Sequence, residues 1–558
     1  MNKEAVKHLN TEEFVYAKAR DELVLRLRSA KQDLRSCKVI FFSRTSPEKL
    51  RYQSMQLMQT DQETDYFEAA LHVEPVARYQ KYYFELEDNA GNRYYLSPTG
   101  ISETKPEIDF FEHLYTNPDD VISYPDWAKG AIYYQIFPER FCDGDETNNP
   151  KDTEPWGSTP TRENYMGGDL KGIYQKIPYL KKLGIEVIYI NPVFKGDFNH
   201  KYATTDYFHI DPIFGTNEDF ARLVDELHKA GIRILLDGVF NHVGVHFDRF
   251  QDVVKRGKES PYFNWFLTTK TEDIQISHHD YECVGAYKYM PKLNTSNPDV
   301  RCFILEVMQY WIEKYHIDGW RLDVADEVDM SVWQMAHMVL KPKYPNILLL
   351  GETWGYGGKL VEDKKLDSVM NYMFRDAVRD YFGLEKCSGE EFCNRIGTML
   401  GLYKKETADV LYNLIDSHDT ERFLHYTRGN LDQLKLAVAF QMVCAGAPAI
   451  YYGDEVGVDG DNDPDCRKCM PWRENQNIEL QEQYRQLIRL RKEHSCTRTG
   501  SCKVFMVDRE NEVMAVERED EREKLICLFH KKSGSVLVTV EEGEVEMAPY
   551  SIHVICKK

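Results

Sequence analysis

Eight short apolar segments, separated by amphipathic helical stretches, occupy the chain between residues 127 and 495. The predicted strands are Ala131–Phe137, Val187–Asn191, Ile232–Asp237, Gly319–Val324, Ile347–Glu352, Val369–Tyr372, Leu411–Asp416 and Ala447–Tyr452. Nearly continuous apolar strands that alternate with helices are typical of a parallel sheet covered on both faces. Eight such units in about 350 residues predict an α/β fold, the (β/α)8 TIM barrel.

Strand-rich segments flank the predicted barrel, which we place at residues 125–495. Residues 1–124 alternate apolar and polar side chains between short turns, which predicts an N-terminal β-sandwich. Residues 496–558 return to the same pattern and predict a C-terminal β-sandwich domain. A stretch at about 243–300 is too long for an ordinary loop, so we expect an inserted domain after the third barrel strand.

The charge balance limits the class of partner. With 70 Lys and Arg against 91 Asp and Glu, the net charge is −21, which disfavours nucleic acids and anionic membranes. No apolar run approaches the roughly 20 residues that cross a bilayer, and the first residues contain no hydrophobic signal segment. Thirteen cysteines without such a segment fit reduced thiols, so we expect a cytoplasmic protein with a neutral partner.

Polar residues follow four of the predicted strands, at the end of the barrel where active sites lie. These residues form the strings DGVFNH (237–242), GWRLD (319–323), GET (351–353) and SHD (417–419). Arg321 and Asp323 are two residues apart on a strand and therefore point to the same face. We expect Asp323, Glu352 and Asp419 to meet in one cleft.

Three carboxyl groups in one cleft suit the cleavage of a glycosidic bond. One carboxylic acid protonates the leaving oxygen while a carboxylate attacks or stabilises the sugar carbon. Neighbouring negative charges raise the pKa of one group, which keeps it protonated near neutral pH. A single acid after a strand is commonly a helix cap, but four polar strand ends in phase favour catalysis.

In this order, the four strings resemble the signature regions of the α-amylase family of glycoside hydrolases. The segment MPKLN at 290–294 is similar to the region that marks the branch of neopullulanases, cyclomaltodextrinases and maltogenic amylases. The resemblance covers essentially the whole chain, from a β-sandwich like the starch-binding-type module of the branch to the terminal β-domain. Several ordered motifs are more specific than any single one.

The resemblance implies a role for each motif residue. Asp323 would be the nucleophile of a retaining reaction, Glu352 the general acid/base, and Asp419 would bind sugar hydroxyls and help to keep Glu352 protonated. Arg321 would hold Asp323 in its ionised form. The remaining residues implied to bind the substrate are Tyr202, His242, Trp354, His418, Asp463 and Arg467, and the buried Asp237 would support the site.

A polar loop after the first barrel strand resembles the N-terminal calcium site of the branch. The predicted ligands are Asp143, Asp145, Asn148, Asn149, Gly167 and Asp169. Asp143 stands where Asn is usual and Asn149 where Asp is usual, so the total charge of this oxygen-rich set is retained. The alternative interpretation is a polar loop held by Asx turns without an ion.

The resemblance implies hydrolysis of α-1,4-glucosidic bonds in cyclodextrins, maltooligosaccharides and pullulan. It also implies a homodimer, in which the N-terminal module completes and narrows the active site of the other subunit. The alternatives are a broader starch-acting α-amylase, an α-1,6-acting relative, and a non-catalytic glucan-binding protein. Asp326, Met330 and Gly355 depart from the branch on the leaving-group side and leave the preferred substrate open.

Overall fold

The structure is a computed structural model that describes residues 1–472, 475–541 and 543–557. These residues form two compact units. The first comprises 1–123, 387–408 and 503–509, and the second comprises 124–386, 409–502 and 510–558. Residues 387–408, which lie inside the predicted barrel range, therefore belong to the first unit. Among the described residues, no helix is both long enough and apolar enough to cross a membrane.

The first unit contains two antiparallel sheets. Its strands are β1 Val15–Ala19, β2 Glu22–Ala30, β3 Leu34–Ser43, β4 Arg51–Ser54, β5 Gln56–Thr60, β6 Thr64–His72, β7 Arg78–Asp88, β8 Arg93–Ser97, β9 Gly100–Ser102 and β10 Phe111–Tyr115. One sheet has the order β1-β2-β6-β5 and the other β4-β3-β7-β8-β9, with β10 beside β7. Alternate residues, such as Leu25 and Leu27 of β2 and Phe84 and Leu86 of β7, form one core, which confirms the predicted sandwich.

The second unit is built on a parallel sheet. The strands between 133 and 451 are β11 Tyr133–Ile136, β12 Val187–Ile190, β13 Phe194–Asp197, β14 Ala203–Ile210, β15 Arg233–Gly238, β16 Gly319–Leu322, β17 Leu348–Gly351, β18 Ser368–Val369, β19 Tyr412–Leu414 and β20 Ala447–Tyr451. β13 and β14 form a hairpin, and the other eight follow the order β18-β17-β16-β15-β12-β11-β20-β19. A parallel bridge between Met370 and Tyr412 joins the two ends and closes the predicted barrel.

Helices connect the barrel strands and begin and end at recognisable caps. The helices of the second unit are Pro138–Phe141, Leu170–Gln175, Ile177–Leu183, Asn217–Ala230, Asp248–Arg256, Pro298–Tyr315, Met330–Leu340, Gly358–Val361, Tyr372–Val378, Phe423–Tyr426, Leu431–Val443, Ile478–Glu493 and Ser495–Thr499. Those of the first unit are Gly389–Leu402 and Lys405–Ala408. Thr216 and Asp219 form a capping box at the start of Asn217–Ala230, and Gly231 ends that helix at a φ of +79°.

Apolar side chains fill the barrel from its amino-terminal side. Tyr133, Tyr189, Leu235, Leu350 and Tyr412 come from five different strands and pack in one cluster. Such a filled interior leaves no pore, and active sites of this fold lie at the carboxyl ends of the strands. The cleft of interest therefore lies at that end.

Residues 243–300 form the predicted insertion after β15, the third strand of the barrel. The insertion returns to the end of β15 through the MPKLN segment, where Val243 N donates to Pro291 O (3.0 Å) and Leu293 N donates to Asn241 O (3.0 Å). His242 and Lys292 form a β-bridge at the same place. Two strings that are distant in the sequence thus border the same cleft.

The chain ends in the predicted β-domain. The strands from residue 501 onward are β21 Ser501–Asp508, most of which belongs to the first unit, and then β22 Val513–Glu519, β23 Lys524–His530, β24 Val536–Val540, β25 Gly543–Met547 and β26 Ser551–Lys557. β22, β23 and β26 are consecutive antiparallel neighbours, and β24 pairs with β25. Leu525 and Leu528 of the central strand β23 are fully buried.

Candidate active site

Arg321 is fully buried and lies at the centre of the carboxyl cluster, which is formed by Asp237, Asp323 and Glu352. Its Nη1 donates to Asp323 Oδ1 (2.8 Å) and to Asp237 Oδ1 and Oδ2 (both 3.1 Å). Its Nη2 forms an ion pair with Glu352 Oε1, at a distance of 3.0 Å. Because β15, β16 and β17 are parallel neighbours, their carboxyl ends bring Asp237, Asp323 and Glu352 to a single guanidinium group.

The backbone has an unusual conformation at Val324, the residue that follows the predicted nucleophile Asp323. Val324 has a φ of +44°, which is rare for a β-branched residue because its Cβ crowds the backbone. In this conformation Val324 N donates to Glu352 Oε2 (2.8 Å). The local strain thus places a backbone donor on the second acid, directly after the first acid in the sequence.

Burial and charge shape the protonation of the cluster. Burial raises the pKa of Asp237 to about 6, against the opposing effect of the Arg321 charge. Burial and the neighbouring charge of Glu352 raise the pKa of Asp323 well above its ordinary value, and Arg321 again opposes the shift. The three acids outnumber the one arginine, so burial and mutual repulsion favour a proton on this cluster.

Tyr202 and His418 line the cleft as a stacked pair. Their ring centroids are 5.5 Å apart and their planes differ by 3°. Gln135 Nε2 donates to His418 Nδ1 (2.7 Å), so the neutral ring carries its proton on Nε2, 2.6 Å from the Tyr202 hydroxyl. That hydroxyl donates to Asp237 Oδ2 (3.0 Å). Burial lowers the pKa of His418 well below its usual value, which keeps this ring neutral.

His242 lies at the end of β15 beside the MPKLN segment. Burial, together with the charge of Lys292, lowers the pKa of His242 to about 4, so the imidazole is neutral at pH 7. Lys292 Nζ donates to Asn241 Oδ1 (2.5 Å) and pairs with Glu327 Oε2 (2.8 Å). The returning insertion therefore fixes the strand end that carries this histidine.

Asp419 and Asp463 are joined by one arginine. Arg467 Nη2 lies 3.3 Å from Asp419 Oδ1, and Arg467 Nη1 lies 2.9 Å from Asp463 Oδ1. His418 Nε2 is 3.0 Å from Asp419 Oδ2. Asp463 also contacts Arg162 (3.4 Å), a residue that the sequence motifs did not indicate. Three of the residues predicted to bind the substrate, Asp419, Asp463 and Arg467, are thus adjacent.

Trp354 presents an aromatic surface directly after the GET string. Its ring stacks on Tyr372, with centroids 4.3 Å apart, and 54% of the residue is exposed. Tyr356 is 42% exposed, and a Cβ placed on the intervening Gly355 would meet nothing within 4 Å. The rim next to Glu352 is therefore open and aromatic, as a sugar platform requires.

The predicted calcium ligands come together around the start of helix Leu170–Gln175. Asn148 Nδ2 donates to Asp169 Oδ2 (3.0 Å), and Asn149 Nδ2 donates to Asp143 Oδ2 (2.9 Å). The Oδ1 atoms of Asp143, Asn148 and Asn149 are buried without a hydrogen-bond donor. Buried oxygens without donors suit a hard cation, so this set fits the chemistry of Ca²⁺.

Two other predicted ligands of this loop behave differently. Gly167 has a φ of +87°, and a Cβ there would lie 2.5 Å from Asn149 Oδ1, so only glycine leaves room for that amide. The Asp145 carboxylate accepts from Thr147 Oγ1 (2.6 Å) and Lys171 Nζ (3.0 Å). Asp145 is therefore engaged by other side chains, whereas Asp143, Asn148 and Asn149 each keep a buried oxygen without a donor.

Sequence reasoning missed the residues that orient the motif side chains. Gln135 selects the tautomer of His418, and Asn191 Nδ2 donates to the Tyr202 hydroxyl (3.0 Å). Tyr189 donates to Asp237 Oδ2 (2.5 Å). Each follows or belongs to an early barrel strand, and that placement at a strand end was the available signal. A closed barrel with three acids around one guanidinium group at its carboxyl end is the arrangement expected of a glycoside hydrolase.

Comparisons with known proteins agree with this class. The family model described as "Alpha amylase, catalytic domain" matches residues 135–495, and "Alpha amylase, N-terminal ig-like domain" matches residues 1–117. The chain therefore belongs to the α-amylase family. It is 39% identical over 551 residues to a cyclomaltodextrinase of Thermoanaerobacter pseudethanolicus, covering 98% of this chain and 95% of that protein.

Two further relatives are similar over almost their whole length. A neopullulanase 2 of Thermoactinomyces vulgaris is 39% identical over 548 residues, covering 97% of this chain and 93% of that protein. A solved structure of a cyclomaltodextrinase superposes with a TM-score of 0.91 at 38% identity, covering 97% of this chain and 94% of that one. The similarity thus includes both flanking β-domains as well as the barrel.

Proposed function

We propose that this enzyme hydrolyses α-1,4-glucosidic bonds in cyclodextrins and short maltooligosaccharides, with pullulan as a further substrate. The observation that supports it most directly is the contact of the Arg321 guanidinium group with Asp237, Asp323 and Glu352. The names of the similar proteins, cyclomaltodextrinase and neopullulanase 2, support the choice of substrates.

In the proposed reaction, Glu352 gives its proton to the glycosidic oxygen while Asp323 attacks the anomeric carbon. The glycosidic bond breaks, the sugar alcohol leaves, and a glycosyl ester forms on Asp323. Glu352 then removes a proton from water, whose oxygen attacks the same carbon and releases Asp323, so the anomeric configuration is retained. The bond from Val324 N to Glu352 Oε2 and the ion pair of Glu352 Oε1 with Arg321 Nη2 hold this carboxyl group in position for its role as acid and base.

The remaining contacts assign supporting roles. Asp419 binds hydroxyl groups of the sugar at the cleavage point, and Arg467 pairs with this acid and with Asp463 and holds both in place. Tyr202 stacks under the sugar ring, while His242 and His418, both neutral, hydrogen-bond its hydroxyl groups. Trp354 offers a platform to the leaving-group side.

The substrate preference is tested by initial rates on γ-cyclodextrin, pullulan and soluble starch, with products followed over time. We expect the rate on γ-cyclodextrin to exceed the rate on starch by about tenfold or more, a difference of about 1.4 kcal/mol in the activation free energy. Maltose-sized products should accumulate, and transfer products should become visible early. A clear preference for starch would instead indicate a broad α-amylase, and fast attack on α-1,6 bonds an α-1,6-acting enzyme.

We further propose that the loop at 143–149, with Gly167 and Asp169, binds one structural Ca²⁺. The supporting observation is the set of buried oxygens without donors on Asp143, Asn148 and Asn149. When bound, the ion supplies positive charge that offsets the electrostatic repulsion among these oxygen atoms. This loop precedes helix Leu170–Gln175, whose first turn is capped by Asp169 through Gly172 N (2.6 Å).

Removal of Ca²⁺ is expected to lower the thermal stability. At about 100 times its dissociation constant, a ligand that binds only the folded state adds about 2.7 kcal/mol. Differential scanning calorimetry with and without a chelator should show a fall of several degrees in Tm, and Asp143→Ala should lose this response. Asp152→Ala, an exposed residue of the same loop region, is the matched control. An unchanged Tm in chelator would contradict the calcium site.

The quaternary state and cellular location complete the proposal. We infer a homodimer in which residues 1–124 of one subunit narrow the active site of the other. We also infer a cytoplasmic location, where the enzyme would act on imported oligosaccharides. Sedimentation at micromolar concentration provides the check. A pure monomer with full activity on cyclodextrin would contradict the dimer.

A further inference from the structure

Three side chains with different metal-binding atoms meet in the second unit, away from the carboxyl cluster. Ligand atoms of His494, Glu523 and Cys556 all lie within 4.8 Å of one another. Among the described residues, no other group of three histidine, cysteine or acidic side chains meets this criterion. The trio combines a nitrogen, an oxygen and a sulfur donor and has no part in the proposed reaction.

The fold brings the three residues together from separate elements. His494 directly follows helix Ile478–Glu493, Glu523 lies in the turn between β22 and β23, and Cys556 lies on β26. In the antiparallel pair of β23 and β26, Cys556 is opposite Leu525. Glu523 precedes Leu525 by two residues, and its carboxylate lies within 4.8 Å of the Cys556 sulfur.

Two of the three ligands are already held in position. His494 Nδ1 lies 2.8 Å from Glu523 Oε2, and both side chains are largely buried. Asp520 Oδ1 accepts the backbone N–H groups of Arg522 (2.9 Å) and Glu523 (3.0 Å), which fixes the turn. Cys556 is exposed, so its side chain is accessible and can adjust.

We propose that His494, Glu523 and Cys556 bind Zn²⁺, with water as the fourth ligand. A thiolate, an imidazole and a carboxylate are typical zinc ligands, whereas Ca²⁺ and Mg²⁺ prefer oxygen alone. Bonds of about 2.0–2.3 Å place tetrahedral ligand atoms about 3.5 Å apart, so a modest rotation of the Cys556 side chain closes the site. The ion replaces the proton shared by His494 and Glu523 and the thiol proton of Cys556.

This site would connect β26 to two other elements of the chain. Cys556 is one residue from the end of β26, whose bonds to β23 hold it on one side. A zinc ion would connect β26 to the β22–β23 turn and to the end of helix Ile478–Glu493. Binding of Zn²⁺ to the folded chain would therefore stabilise the C-terminal domain against unfolding.

Cobalt titration of the full-length, metal-free protein tests the proposal, because Co²⁺ occupies zinc sites and absorbs light when bound to a thiolate. We expect one equivalent of Co²⁺ to produce thiolate-to-cobalt absorption that Zn²⁺ abolishes. Cys556→Ser should remove the absorption and weaken Zn²⁺ binding at least about 100-fold. Cys302→Ser, a change at another exposed cysteine, is the control and should behave as the unchanged protein.

Alkylation mapped by mass spectrometry provides an independent measurement. Zn²⁺ should protect Cys556 from iodoacetamide and leave Cys302 reactive, and His494→Gln should abolish this protection. The proposal is overturned if no thiolate-to-cobalt absorption forms at micromolar concentrations, if the absorption persists in Cys556→Ser, or if Zn²⁺ leaves Cys556 as reactive as before. None of these outcomes depends on glycoside hydrolysis.

Discussion

Glu352→Gln is expected to lower kcat on γ-cyclodextrin by about 10²- to 10⁴-fold while substrate binding changes little. Glutamine keeps the size of the side chain and its acceptor for Val324 N, but it has no acidic proton to give to the glycosidic oxygen. Stopped assays with a product detector give kcat, and calorimetric titration with γ-cyclodextrin gives Kd. The two values separate catalysis from binding.

Substrates with different leaving groups can show whether Glu352→Gln has lost its role as the acid/base. An aryl maltoside with a nitrophenol leaving group needs little protonation, so the first step should survive in Glu352→Gln, and azide should restore turnover because it attacks without a general base. Glu479→Gln, at a side chain that is 86% exposed, is the control and should retain normal rates. Near-normal hydrolysis of γ-cyclodextrin by Glu352→Gln would refute the assignment of the acid/base.

Asp323→Asn is expected to reduce kcat by about 10⁴-fold or more on every substrate. An amide is a poor nucleophile, so the glycosyl ester cannot form, whatever the leaving group. Neither a nitrophenyl substrate nor azide should restore the activity, which distinguishes this residue from Glu352. The same rate assays on both substrates measure the difference.

Folding should survive this substitution. Arg321 still pairs with Asp237 and Glu352, so no buried charge is left alone when Asp323 becomes neutral. Circular dichroism and Tm should therefore match the unchanged protein, and Asp126→Asn, at a side chain that is 94% exposed, is the control for activity. A glycosyl azide of retained configuration, formed by Asp323→Asn from a nitrophenyl substrate, would assign the acid/base role to this residue and contradict the proposal.

Local patterns predicted the elements of the second unit well. The eight barrel strands occur where the apolar runs predicted them, with ends that differ by at most three residues. Helix Asn217–Ala230 begins and ends at local signals, the cap at Thr216 and the glycine at 231. The motif residues could also be placed, since a strand fixes which side chains share a face.

Contacts between distant residues were not predictable in this way. Gln135 bonds to His418 across 283 positions, and no periodicity links the two residues. Residues 387–408 follow a helical pattern like that of the barrel helices, yet they belong to the first unit. Arg162 likewise carries no motif, although it contacts Asp463.

The sequence by itself determined the alternation of strands and helices, the residues at the strand ends, and the acid chemistry that those residues allow. These features depend on propensities and on neighbours within a few positions. The tertiary structure decided that one guanidinium group holds three carboxylates, that Val324 turns its amide towards Glu352, and that three loop oxygens are buried without donors. The physical reason is that barrel closure sets distances and burial between residues far apart in the chain, and burial in turn sets the charge of each group.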